Sequence, residues 1–205
     1  LAFGRQASDT LLAHAVGTGI AYHLAKAGWD TRLVERDELT SGSTWHAAGL
    51  LPLFNMSYTV GQLHKYSVDL YKRLPAETGQ DVSFHVTGNL RLATCRDRMD
   101  EYRKYCGTAN TIGVPFQLIS PAEVKEVWPL VNLGGDADTP AVIGALYHPD
   151  DGHIAPADLT AALRRAARSA GAEINEQTEV TGAAQMPSGE WKLTTSRGEI
   201  TAEHV

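Results

Sequence analysis

A helical stripe that stops at a glycine and runs at once into a short apolar strand ending in an acid is the feature that most narrows this fold. Ile20, Leu24 and Ala27 recur at helical spacing and end at Gly28, a residue suited to the C-terminal cap of a helix. Residues 31–35 (TRLVE) read as the strand, closed by Glu35. With Leu11 and Leu12 in an earlier strand, the opening is strand–helix–strand, the start of a dinucleotide-binding unit.

The rest of the chain fits that start. Val60, Leu63, Ser67, Leu70 and Leu74 form a second helical stripe, expected to end at Pro75. Residues 83–94 read as two strands around Gly88, and 97–110 as a charged helix. Ser120-Pro121-Ala122-Glu123 is a capping box with proline at the first helical position. A strand is expected over 141–147 and an amphipathic helix over 157–170, with Leu159, Leu163, Ala166 and Ala170 on one face. Strands at 172–186, 190–195 and 198–203 then make a meander. The class is α/β: a dinucleotide fold with an insertion from about residue 80 to 140. The last strand stops at Val205 with no closing element, so the chain is expected to be a fragment of a longer protein.

Composition excludes several classes. A net charge of −6 and a pI near 5.7 argue against nucleic-acid binding, which needs an excess of Lys and Arg. No apolar run approaches the ~18 residues of a membrane-spanning helix. Cys95 and Cys106 make neither a disulfide framework nor a metal site, and they suit a reducing compartment: cytoplasm, or the mitochondrial matrix in a eukaryote. The expected partner is a small-molecule substrate.

Four stretches bear on chemistry. The glycine-rich turn of a dinucleotide fold brings a pyrophosphate onto a helix N-terminus. Here only Gly17 stands where the third glycine belongs; His14 occupies the second position, where its Cβ crowds a pyrophosphate, and Gly19 is out of register. Glu35 follows Gly17 by 18 positions (35 − 17), close to the spacing of about 20 at which an acid meets ribose hydroxyls. The adjoining Arg36 does not by itself indicate a 2′-phosphate. Beyond them, Ser43-Thr44-Trp45-His46-Ala47-Ala48-Gly49-Leu50 has hydroxyls suited to phosphate or ribityl oxygens and a glycine that allows close approach. Asp150-Asp151-Gly152-His153 has two carboxylates and an imidazole, read as a turn into the following helix in preference to a metal or acid–base cluster.

The octapeptide around His46 resembles the flavin-attachment segment of the dimethylglycine dehydrogenase and sarcosine dehydrogenase family, within the D-amino-acid-oxidase-like flavoproteins. Residues 20–29 (IAYHLAKAGW), 88–94 (GNLRLAT), Trp128-Pro129-Leu130 and 148–154 (HPDDGHI) are similar to further blocks of that family. The resemblance implies FAD, bonded covalently through His46, with Gly17, Glu35, Arg36, Ser43, Thr44, Gly49, Leu50 and the backbone of Val180 around it. It also implies oxidation of an N-methyl group on dimethylglycine or sarcosine, with tetrahydrofolate taking the one-carbon unit at a further region of such proteins. The domains expected are a first FAD-binding part at 10–80, a substrate-domain segment at 81–140 and a second FAD-binding part at 141–205. No catalytic base is assigned and no metal is expected. Residues 1–19 depart from the family, so a relative that has lost flavin binding stays open. An ordinary NAD-dependent dehydrogenase is disfavoured by the strand meander.

Overall fold

A computed structural model describes residues 15–205. The expected strand at Leu11–Leu12, and His14, lie outside the described residues. The chain forms two compact units. The first comprises the described residues up to Gly49, Tyr71–Ser83 and Ile154–Val205; the second comprises Leu50–Leu70 and Phe84–His153.

In the first unit, helix α1 (Ala15–Lys26) stops where the sequence loses its helical period. Gly28 takes φ +86°, a left-handed conformation that costs a residue with a Cβ about 1–2 kcal/mol. The chain then enters β1 (Arg32–Val34), which pairs in parallel with β8 (Glu173–Asn175), Leu33 opposite Ile174. Parallel neighbours need a long crossover. The stretch leading into β8 is helix α5 (Pro156–Ser169), started by a proline and buried through Leu159, Ala162, Leu163, Ala166 and Ala167. It packs on α1, where small residues keep the axes close: a Cβ on Gly19 stands 3.9 Å from Leu163 Cδ1.

The expected strand over 172–186 is two strands. β8 ends at Asn175, and β9 (Val180–Gln185) begins an antiparallel meander with β10 (Trp191–Thr195) and β11 (Gly198–Ala202). The break falls at Gln177, φ +55°, where Gln177 N donates to Asp37 O and Thr178 N to Glu35 O. Those bonds hold the chain on the end of β1 and turn it out of the parallel pair. Leu193 and Ile200 of the meander bury with Val34 of β1.

The second unit is built on a three-stranded antiparallel sheet in the order β4 (Asn89–Ala93), β6 (Gly144–His148), β5 (Gln117–Ile119). Helix α3 (Arg96–Ile112) covers one face, burying Tyr102, Tyr105 and Ala109 with Leu53, Ala93 and Leu146. Helix α4 (Pro121–Val127) starts at the expected capping box: Glu123 N donates to Ser120 Oγ, and Ser120 N donates to Glu123 Oε2. Its Val124 buries with Ile119, Val131 and Ala145. A smaller sheet has the order β2 (Leu50–Leu51), β7 (Gly152–His153), β3 (His85–Val86). The segment expected as a turn at 150–153 therefore turns at Asp150 and then pairs as a central strand. Gly152 fits there because a Cβ would stand 2.1 Å from His85 O.

Helix α2 (Tyr58–Thr78) does not end at Pro75. A proline lacks the amide that would bond back along the helix, but its carbonyl remains an acceptor. Gly79 N donates to Pro75 O at 2.9 Å, and the helix closes at Gly79, φ +67°. Among the described residues, no helix is long and apolar enough to cross a membrane.

Candidate functional site

The first unit concentrates polar groups at the end of β1. Glu35 follows the strand and is 4% exposed. Its amide donates to Asn175 O at 2.9 Å and its carbonyl accepts from Thr178 N at 2.7 Å. Its Oε1 accepts from Asp37 N at 3.1 Å, so the turn after β1 orients the carboxylate. Arg36 points to solvent, with Nε 3.0 Å from Asp37 Oδ2, and this carboxylate raises the guanidinium pKa further. Val180 opens β9, two residues beyond Thr178, opposite Thr195 where the pairing register shifts.

The chain then loops back toward α1. Thr40 adopts φ +75°, a costly conformation for a β-branched residue and a sign of a constrained loop. Ser43–His46 forms a 3-10 turn closed by Ala47 N donating to Thr44 O at 3.1 Å. Ser43 is exposed, whereas Thr44 is buried and its Oγ1 accepts from Ala15 N, the first residue of α1, at 3.3 Å. The hydroxyl expected to face a phosphate thus meets the helix N-terminus where that phosphate is expected. Gly17 lies buried two residues further along α1. His46 is exposed, and its ring lies against the exposed indole of Trp45, with centroids 3.8 Å apart and planes tilted by 34°.

Gly49 has a structural reason to be glycine. It takes φ +69°, and a Cβ there would stand 2.0 Å from Ile154 O, while Ile154 N donates to Gly49 O at 2.9 Å. Leu50 begins β2 of the second unit, opposite His153. Gly17, Glu35, Arg36, Ser43, Thr44, His46, Gly49 and Val180 all lie in the first unit, and Leu50 falls in the other unit.

The donor types present are those a dinucleotide uses. The first amides of a helix have no intrahelical acceptor and suit a pyrophosphate. A buried carboxylate at a strand end suits a ribose diol, and an exposed imidazole is a nucleophile. Among the described residues, no cluster of three or more His, Cys, Asp or Glu suits a metal ion.

A second polar group, which sequence reasoning missed, is buried in the second unit. Tyr105 Oη donates to Leu53 O at 3.3 Å and lies 3.0 Å from His148 Nε2. Because the hydroxyl has a single proton, His148 Nε2 is the donor in that second bond, which leaves Nδ1 as an acceptor. Asp151 Oδ1 accepts from Leu53 N at 3.0 Å. Burial pushes His148 down to about 4, and the Arg91 charge pushes the same way. Burial pushes Asp151 up to about 6 and Tyr105 up to about 12. Among the described residues, His148 Nδ1 and Asp151 Oδ2 meet no hydrogen-bond partner. No local pattern marks this cluster, since its residues come from the stretch after β2, from α3, and from β6 and the turn that follows it.

The chain matches the family model "FAD dependent oxidoreductase" over residues 15–205. It is 40% identical to mitochondrial dimethylglycine dehydrogenase of Rattus norvegicus over 191 residues, 93% of this chain and 22% of that protein. It is 38% identical to mitochondrial sarcosine dehydrogenase of Homo sapiens, over 82% of this chain and 18% of that protein. A mitochondrial pyruvate dehydrogenase phosphatase regulatory subunit of Mus musculus is 33% identical over 92% of the chain and 21% of that protein. The chain thus spans about a fifth of the length of these relatives. Among solved structures, L-proline dehydrogenase from P. horikoshii superposes with a TM-score of 0.84 at 30% identity, covering 96% of this chain and 50% of that one. The family model matches every described residue, and this chain belongs to the FAD dependent oxidoreductase family.

Proposed function

We propose that this chain is the flavin-binding part of an oxidoreductase acting on the N-methyl group of a small N-methylated amino acid, dimethylglycine or sarcosine, with FAD linked covalently to His46. The observation that carries the reading is the meeting of Thr44 with the α1 N-terminus two residues before His46. The likeness to dimethylglycine and sarcosine dehydrogenases supports the substrate class. When bound, FAD supplies the two-electron acceptor for amine oxidation. Glu35 holds the ribose hydroxyls, the first-turn amides of α1 with Ser43 and Thr44 hold the pyrophosphate, and the Val180 backbone flanks the adenine. His46, exposed beside Trp45, would hold the flavin through a ring nitrogen bonded to its 8α-methyl carbon; forming that link would break a methyl C–H and the imidazole N–H, with the two electrons and two protons taken up by the flavin ring itself. Tetrahydrofolate as acceptor of the one-carbon unit, and a cytoplasmic or mitochondrial matrix location, belong to the same reading. Anaerobic addition of dimethylglycine or sarcosine to the flavin-loaded full-length protein is expected to bleach its visible absorption; absence of bleaching with both rules out this substrate class. A second reading, a regulatory relative without flavin, is favoured by the likeness to the phosphatase regulatory subunit and predicts a colourless protein.

A further inference from the structure

Thr44 makes two connections in the first unit. Its side chain, in a residue 6% exposed, accepts a hydrogen bond from Ala15 N at 3.3 Å. Its carbonyl accepts from Ala47 N at 3.1 Å and closes the turn that bears Trp45 and His46. The accepting oxygen lies 29 positions downstream of Ala15, so the contact at the start of α1 is tertiary. The same short turn also packs on α5, which gives the contact a fixed support.

We infer that Thr44 is a positioning residue that joins the two ends of the flavin site: a cap supplied in trans, locking the first turn of α1 and the His46 turn into one piece. The consequence for flavin rests on the function proposed above; the cap itself does not. One side chain then sets both the direction of the α1 amides and the place of the imidazole. A change at Thr44 is therefore expected to move non-covalent affinity and covalent coupling together. A β-branched residue suits the task because its second γ-atom, buried here, restricts χ1 and holds the hydroxyl in place. The bond to Ala15 uses only an acceptor lone pair, and the hydroxyl keeps its own proton to donate.

The test uses Thr44→Val, which keeps the shape and loses the acceptor, with Thr44→Ala as a smaller variant and Thr44→Ser as the conservative one. Hydrogen exchange of the peptide spanning residues 15–20 is followed in the flavin-free protein. FAD affinity is measured in a His46→Ala background, and the rate of covalent attachment in the His46 protein. With valine or alanine, exchange in the first turn of α1 is expected to rise. FAD binding is expected to weaken by about fivefold, on the order of a lost helix cap, with slower attachment. Serine is expected to restore all three. Unchanged exchange in both Thr44→Val and Thr44→Ala overturns the inference. So does weakened FAD binding with unchanged exchange, in which Thr44 acts through its own contact with the cofactor alone and not through the first turn of α1. A wild-type protein that binds no FAD overturns the proposed function and the coupling with it, while the exchange result still decides the cap.

Discussion

Replacing Asp151 by asparagine isolates the buried acid of the second unit. Asp151 is 2% exposed, and its Oδ1 accepts from Leu53 N, a bond that the asparagine oxygen preserves. Burial raises the carboxyl from 3.8 to about 6 in the folded chain. A raised folded-state pKa means that the folded protein takes up the proton first. The stabilisation is complete below pH 3.8 and is lost as pH rises through about 6. A shift of about 2 units corresponds to about 3 kcal/mol in full, of which about 1.4 kcal/mol is gained between pH 8 and pH 5. Groups common to both proteins cancel in the difference between wild type and Asp151→Asn. Urea unfolding of the two proteins at pH 8 and pH 5 measures that difference directly. Wild type is expected to gain about 1.4 kcal/mol relative to the variant on going to pH 5. Parallel stability curves across this range show that Asp151 titrates as an exposed acid and refute the reasoning.

Two further changes probe the structure around the sites. His148 has the opposite linkage: its pKa falls from 6.5 to about 4, so its stabilisation is present above pH 6.5 and lost as pH falls toward 4. In the same urea experiment, His148→Gln is expected to remove an acid loss of about 2 kcal/mol between pH 8 and pH 5; an unchanged pH slope argues against a buried neutral imidazole. Gly49→Ala meets both a positive φ and a Cβ position 2.0 Å from Ile154 O. It is expected to cost upward of about 2 kcal/mol, read as a lowered Tm, and a Tm equal to wild type contradicts the close approach.

Legibility in the sequence followed the range of the signals. Local signals are legible: the glycine stop after α1, the β1 strand just before Glu35, the Ser120 capping box and the Leu159, Leu163 and Ala166 face of α5 lie where their neighbours place them, while Ala170, expected on that face, is an exposed C-cap. Pro75 misled because proline removes a donor and keeps an acceptor, so a helix near its end continues for several residues past it. The strand over 172–186 was over-extended because the break at Gln177 is set by bonds to Asp37 and Glu35, about 140 residues earlier. Long-range arrangement left no trace in local pattern. Gly49 reads as room for a ligand, and the close Ile154 carbonyl is a further, unsignalled reason for glycine there. Thr44 reads as a phosphate donor, and the bond its oxygen accepts from Ala15 N has no sequence signal. Tyr105, His148 and Asp151 become one cluster only once Leu53 lies between them.

The most direct measurement concerns His46. The purified protein is denatured in acid, the pellet is washed and examined for flavin fluorescence, and the peptide spanning residues 43–50 is weighed by mass spectrometry. Covalent attachment at His46 predicts flavin retained in the pellet, its mass on that peptide, and loss of both in His46→Ala. Flavin released wholly to the supernatant, or retained equally in His46→Ala, contradicts it.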